Sequence, residues 1–512
     1  MTESGNDDLP MSAREVRRRF LLFFLPGTLQ LGLAFATLPL TTLVLGPADF
    51  AIFSLVVSFS ALAMSLSQMG SAYLLSQRFR GASRQERCSL VTTMTALVLT
   101  SSLVLAAAFV TAFLLLHDSW SVIAGISLTM VVLVGVESVG SSMHTLVAGI
   151  SKLGSSPGYY SLVAVLKSVA AVGVTLAALF LFEMKGMALF VGHAAGGVVA
   201  LIGALAILSR YFEARIDWGA LKDALYLGGW STVSLLALQA RQTIERALLT
   251  RYVGLYDLGI YIHAQQYQAL ATLATHPIQG AATPVLLDEA KERGSLFTRT
   301  ARISNVLFLA VTMFGVAVAL FGRTIIGLLT HGKFDAAGPY VALLVGVVLV
   351  QLSGRPQLAH LLAYGRGRYI SMCNVLAAVA AVVTLFALVG HVGLSAAVWA
   401  GYVQCLLFRL ATGIDPFSTA RLPFQDGWVI IGLAAILGAV AGVEYFQPEL
   451  LTRAAILGAF SAVVAIFARS ILMDVVLQIR DHLGRREPVA GSGPLPSRIR
   501  ASAPIDVAGA GR

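Results

Sequence analysis

Charge is what this sequence has least of. Asp, Glu, Lys and Arg make up 12% of its 512 residues, against 57% hydrophobic. An ordinary soluble domain carries roughly 25% charged residues, and one this apolar would expose patches that drive association. Disorder is excluded as well, because a disordered chain needs low hydrophobicity and high charge. Cysteine is sparse: Cys88, Cys373 and Cys405 stand far apart without a CxxC spacing. Neither a disulfide framework nor a thiolate metal or redox site is expected. There is no GxxxxGKS or GxxxxGKT phosphate loop and no HExxH helix. No loop between apolar runs is long enough for a soluble catalytic domain. The chain is therefore expected not to be an enzyme and to need no cofactor.

Long apolar runs are what it has most of. A helix needs about 20 apolar residues to cross the hydrocarbon core. Fourteen runs qualify: 20–45, 50–77, 89–116, 120–149, 158–182, 187–209, 223–250, 256–285, 302–329, 338–362, 369–389, 392–411, 427–445 and 450–472. The first is too long for a cleavable signal, holds Pro26 and Pro39, and ends without a small-residue cleavage site. Nothing alternates like a barrel strand. The expected class is an all-α polytopic membrane protein of about 14 transmembrane helices.

The net charge of +10 does not point to nucleic acid. Its Lys and Arg sit in short patches between apolar runs, as the positive-inside rule arranges them. With the N-terminus cytoplasmic, 27 of the 36 fall on the cytoplasmic side, including Arg14, Arg78, Arg84 and Arg210. Five fall on the other side: Lys185, Arg251, Arg323, Lys333 and Arg453. Both termini are expected in the cytoplasm. Residues 473–512, rich in Gly, Pro, Ser and Arg, are expected to be disordered.

The halves of the chain echo each other. Gly46, Asp49, Ile52 and Phe53 match Gly254, Asp257, Ile260 and Tyr261 at a constant offset of 208. The offset spans an even number of helices, so the halves would run in the same direction, a parallel repeat about the membrane normal. Chance likeness of two loop-to-helix joins is the other reading. Gly suits the tight turn and Asp the cap of the following helix.

The stretch LGPADFAIFSLVVSFSALAMSLSQMGSAYLLSQRF resembles the first hairpin of polysaccharide transporters, whose second helix ends near a glycine, here Met69-Gly70. The stretch YVGLYDLGIYIHAQQYQALATLATHPIQGAATPVL resembles the same family's join between its seventh and eighth helices. These proteins form part of the multidrug/oligosaccharidyl-lipid/polysaccharide exporter superfamily. The resemblance covers roughly residues 14–475. It implies two pseudo-symmetric six-helix lobes around a central cavity, plus a C-terminal helix pair. The expected domains are a cytoplasmic tail 1–19, a lobe 20–210, a linker 211–222, a second lobe 223–411, the pair 427–472 and the tail 473–512.

It further implies a flippase for lipid-linked oligosaccharide, here undecaprenyl-diphosphate-linked repeat units, in the bacterial inner membrane. Membrane lipids, a polysaccharide polymerase and chain-length machinery would be its partners, and no nucleic acid. The alternatives are a cation-coupled multidrug antiporter, a membrane glycosyltransferase, and a non-transporting component of a polysaccharide assembly complex.

Ionisable groups in hydrocarbon are costly and mark candidate sites. Glu137 and Lys167 lie on consecutive helices, either as a structural pair or with Lys167 offering charge to an anionic head group. Arg241 and Glu245, spaced i, i+4, are placed to pair. Arg246 stands about 100° further round the helix, as a free charge or snorkelling to the interface. Gln265, Gln268, Thr272, His276 and Gln279 share one face, which suits sugar hydroxyls, a wet cavity wall or bonding between helices. Arg355 precedes Pro356 and either satisfies the carbonyl that proline frees or faces the cavity. The substrate-binding candidates are Lys167, Arg241, Arg246, Arg355, Gln265, Gln268, Thr272 and His276, with Glu137 and Glu245 structural or coupling. Gly196, Gly197, Ala200 and Gly203 form a small-residue surface for close helix contact.

Overall fold

The computed structural model describes residues 13–79, 82–116, 125–153, 157–213, 215–291, 298–364, 366–414 and 426–484. Among them there is α-helix and short 3-10 turn but no strand, as backbone in lipid requires, because its polar groups must bond within the segment. The first seven helices are α1 (Ala13–Val44), α2 (Pro47–Ser67), α3 (Ser71–Arg78), α4 (Arg84–Leu116), α5 (Leu128–Leu153), α6 (Pro157–Phe180) and α7 (Met187–Leu208). The next seven are α8 (Trp218–Tyr252), α9 (Leu255–Lys291), α10 (Thr298–Thr330), α11 (Gly338–Ser353), α12 (Arg355–Ala363), α13 (Gly367–Val392) and α14 (Ser395–Gly413). The chain closes with α15 (Asp426–Phe446) and α16 (Leu450–Gly484). The compact unit ends at Val464, within α16.

The repeat appears in the packing. In the first set α1 packs on α6, α2 on α4 and α5, α4 on α5, and α7 on α5 and α6. In the second, α8 packs on α13, α9 on α10 and α11, α10 on α11, and α14 on α11 and α13. Each pair in the first set thus has its counterpart in the second. Large apolar side chains such as Val104 and Leu115 of α4, and Val383 and Phe386 of α13, remain exposed, as the lipid-facing surface of a membrane bundle requires.

Among the described residues ten helical stretches are long and apolar enough to cross a membrane, α11 and α12 together making one of them. The three polar runs α8, α9 and α14 fall short of that standard, and α16 offers a shorter apolar stretch. The number fourteen therefore stays an expectation. Helices also outrun their expected limits. α1 begins at Ala13 inside the expected tail, α8 begins at Trp218 inside the expected linker, and α16 runs to Gly484 rather than 472. A helix need not end at the membrane surface, since its polar turns continue into water. Residues 485–512 of the expected disordered tail lie outside the described residues.

Two expected spans are broken. The run 50–77 divides into α2 and α3 at Met69 and Gly70, both with positive φ, 39° and 76°. A Cβ on Gly70 would lie 2.3 Å from the Cα of Gly228 on α8, so the two backbones touch across the halves. The run 338–362 divides at Gly354 into α11 and α12.

The small-residue face of α7 works as expected. A Cβ on Gly196 would meet Lys167 and Ala171 of α6 at 3.0–3.6 Å, and one on Gly203 would strike Val163 at 2.7 Å. On the other side, a Cβ on Gly197 would lie 2.6 Å from the Cα of Glu137 on α5. Gly197→Ala is expected to cost about 1–3 kcal/mol by overpacking and to lower the unfolding temperature of the purified protein. Gly149→Ala, with nothing within 4 Å of its Cβ, is the control and should be neutral or stabilising.

Candidate functional site

The ionisable groups that the sequence placed deep in α5, α6 and α8 form two clusters, one in each set of helices. In the first, Glu137 of α5 accepts from Ser60 Oγ of α2 at 2.6 Å and from Ser141 Oγ at 2.5 Å. Ser141 in turn accepts from Lys167 Nζ of α6 at 2.8 Å. A serine hydroxyl has one proton and two lone pairs, so Ser141 serves carboxylate and ammonium together. Glu137 and Lys167 are thus joined through a hydroxyl rather than by direct contact. His193 of α7 lies beside them, its ring edge-on to Phe53 of α2 with centroids 4.7 Å apart.

In the second cluster Arg241 and Glu245 of α8 form the i, i+4 ion pair. Arg241 also donates to Gln404 Oε1 of α14. Glu245 is 1% exposed, and its other oxygen accepts from Tyr261 Oη at 3.0 Å and Gln265 Nε2 at 3.3 Å, both on α9. The carboxylate takes three donors and the charge of Arg241 is cancelled.

Arg246 neither stands free nor snorkels. It donates to the backbone carbonyl of Ser54 on α2 at 2.9 Å, while Thr243 donates to the carbonyl of Ser58 at 3.2 Å. A helical carbonyl keeps a second lone pair for such a bond, and α8 packs against α2 closely enough to use it.

Arg355 opens α12 just after the break. With its amide nitrogen turned toward them, Gln357 meets the carbonyls of Gly354 at 3.2 Å and Ser353 at 2.9 Å. Gln357 thus covers two carbonyls at the break, while the carbonyl that Pro356 leaves without its i, i+4 donor is that of Leu352. The Arg355 guanidinium lies near Cys405 of α14, as does Arg241, so both arginines approach the same stretch of that helix.

The face of α9 is partly drawn inward. Gln265 joins the Glu245 cluster, and Thr272 bonds back to the carbonyl of Gln268 at 3.2 Å. The side chains of His276 and Gln279 lie outside the described ones. Charge and periodicity overlooked Ser60, Ser141, Tyr261 and Gln404. Only Ser141 carried a local signal, standing four residues after Glu137.

The architecture has solved counterparts. The inward closed structure of the lipid II flippase MurJ matches with a TM-score of 0.60 at 12% identity, over 89% of this chain and 100% of that one. An inward-facing multidrug resistance MATE family transporter of the MOP superfamily matches with a TM-score of 0.58 at 17% identity, over 84% of this chain and 97% of that one. A MOP superfamily transporter from Pyrococcus furiosus, described as having a binding pocket of reverse polarity, matches with a TM-score of 0.54 at 16% identity, over 84% and 96%. At these identities the likeness establishes the fold, which is one that membrane transporters and flippases use. No curated protein matches the sequence. The profile of a family described as polysaccharide biosynthesis protein matches residues 16–290, which hold Glu137, Lys167, Arg241, Glu245 and Arg246. That is more than half of the chain, and the chain belongs to the polysaccharide biosynthesis protein family.

Proposed function

We propose that the chain is a flippase that moves undecaprenyl-diphosphate-linked oligosaccharide repeat units from the inner to the outer leaflet of the bacterial inner membrane. The observation that carries this reading is the cationic excess buried in a polysaccharide biosynthesis family member. Deep within the expected spans, Lys167, Arg241, Arg246 and Arg355 stand against Glu137 and Glu245. With Arg241 cancelled by Glu245, the charge available to a diphosphate comes from Arg355, Lys167 and Arg246.

The physical logic is direct. A charged, sugar-bearing head group cannot cross hydrocarbon unaided. A basic cavity between the lobes 20–210 and 223–411 supplies counter-charge, and rocking of the lobes alternates its exposure. The polar face of α9, with Gln268, Thr272 and His276, suits sugar hydroxyls. The lipid tail stays in the bilayer, and both termini remain cytoplasmic. A cation antiporter would need a carboxylate open to its cargo, whereas Glu137 and Glu245 are each held by two or more donors.

A strain lacking the protein is expected to accumulate lipid-linked repeat units on the inner leaflet and to lose surface polymer. Unchanged leaflet distribution with polymer lost would instead assign the chain to assembly without transport.

A further inference from the structure

The turn Gly46-Pro-Ala-Asp49 leaves α1 with two carbonyls that its own backbone does not satisfy. In a continuing helix the carbonyl of residue 42 would take the N–H of residue 46, and that of residue 43 the N–H of residue 47. Here the Gly46 N–H goes to Asp49 Oδ2 at 2.9 Å. Residue 47 is proline and has no N–H. Lys333, from the turn between α10 and α11 in the other set of helices, fills the gap. Its Nζ donates to the carbonyl of Thr42 at 2.7 Å and to that of Leu43 at 2.8 Å. An ammonium has three protons to give, and a helix C-terminus carries partial negative charge. Site and occupant match in both hydrogen bonding and charge.

The surroundings join the same two sets. Thr42 Oγ1 lies 3.4 Å from the carbonyl of Leu329, while its proton goes to the carbonyl of Leu38 on its own helix at 2.9 Å. Phe50 of α2 meets Phe334 edge-on at 5.5 Å, and His263 of α9, fully buried, stacks on Phe334 at 4.2 Å. Gly259 lets α9 rest on the start of α2, since a Cβ there would lie 1.9 Å from the carbonyl oxygen of Pro47. At the matching turn of the second half, Leu255 stands where the first has Pro47 and keeps its N–H. A proline therefore removes a backbone donor at the first turn alone.

We propose that Lys333 is a latch. It holds the two sets of helices together at the end that the charge asymmetry places outside, and its release exposes the facing side of α2 to that side. The latch deepens the flippase reading and rests on it for its purpose, but its test is conformational and needs no transport.

The reporter is Ser54→Cys, in a chain whose Cys88, Cys373 and Cys405 are replaced by serine. Ser54 is 5% exposed, its hydroxyl has no partner, and it lies one turn beyond Phe50. A membrane-impermeant maleimide added outside intact cells should label it slowly while Lys333 is present. Lys333→Met is expected to raise the rate about tenfold or more, since it removes two charge-assisted bonds, and Lys333→Arg should keep it low. Gly259→Ala wedges the same junction without touching the lysine and should raise it too. Pro47→Ala gives the Leu43 carbonyl an N–H that competes with the ammonium, and should raise it in part. Unchanged labelling in Lys333→Met, or in the last two variants where that protein fails to reach the membrane, overturns the latch. An increase seen only from the cytoplasmic side overturns its outer placement. Raised labelling in a protein shown to move no lipid-linked sugar keeps the latch and overturns the transport reading.

Discussion

Glu245→Gln and Arg241→Gln are each expected to cost the protein about 3–5 kcal/mol, and the double replacement is expected to cost less than either. Glu245 is almost fully buried, with donors from Arg241, Tyr261 and Gln265. Removing the arginine leaves a buried carboxylate without its counter-charge. Removing the carboxylate leaves a guanidinium whose remaining partner is the neutral amide of Gln404. Replacing both leaves amides that can bond to each other and to Tyr261. A double-mutant cycle on unfolding of the purified protein in detergent measures the coupling. Additive costs would mean that the ion pair contributes nothing as a pair. Export of polymer should follow abundance across these variants, because the pair shapes the site without lending it net charge.

Lys167→Gln and Arg355→Gln should behave in the opposite way. Each is expected to lower polymer export about tenfold or more while the protein reaches the membrane in normal amounts. Arg355 has no hydrogen-bond partner among the described residues, and Lys167 spends one of its three protons on Ser141. Both keep donors for a diphosphate, and Lys in place of Arg355 should retain more export than Gln, though it loses the bidentate grip. Ser141→Ala supplies the contrast. It cuts the bridge between Lys167 and Glu137 but leaves both charges in place, so export should fall much less than in Lys167→Gln. Equal loss in the two would make Lys167 a structural partner of Glu137. Full export by Lys167→Gln and Arg355→Gln at normal abundance would remove the cationic-cavity mechanism and leave the fold untouched.

The helices, the doubling of the halves and the tight face of α7 were legible because each is written in local pattern. Apolar length marks a span, the offset of 208 marks the repeat, and Gly196, Gly197 and Gly203 mark a surface without side chains. The ion pair on α8 was legible for the same reason, being set by helical spacing. Its other partners were not. Gln404 lies 163 residues from Arg241, and no periodicity ties two helices that far apart. Neutral groups were hidden a second way, since a search that begins from charge passes over Ser60, Ser141 and Tyr261. Arg246 illustrates a third limit. Its place on α8 could be read, but its acceptor is a backbone carbonyl of α2, and every residue has one of those. Pro47 and Lys333 show what a closer reading could yield. Proline after a helix announces a carbonyl without its usual donor, although nothing local says which lysine will come to it.

The contact between Arg246 and Ser54 also bears on how the chain enters the membrane during synthesis. A lone arginine or acidic residue near the middle of a span opposes insertion by about 2.5–3.5 kcal/mol, and α8 brings Arg241, Glu245 and Arg246 together. Arg241 and Glu245 travel with their own neutralisation, because both partners sit on the same helix and emerge together. Arg246 has no such companion, and its acceptor belongs to α2, which the ribosome completes much earlier. By the time α8 leaves the ribosome, the carbonyls of Ser54 and Ser58 are already in the bilayer to receive Arg246 and Thr243. The order of the helices along the chain thus places the receptor before the group that needs it, and the first half offers the surface on which the long polar helix α8 of the second half is assembled.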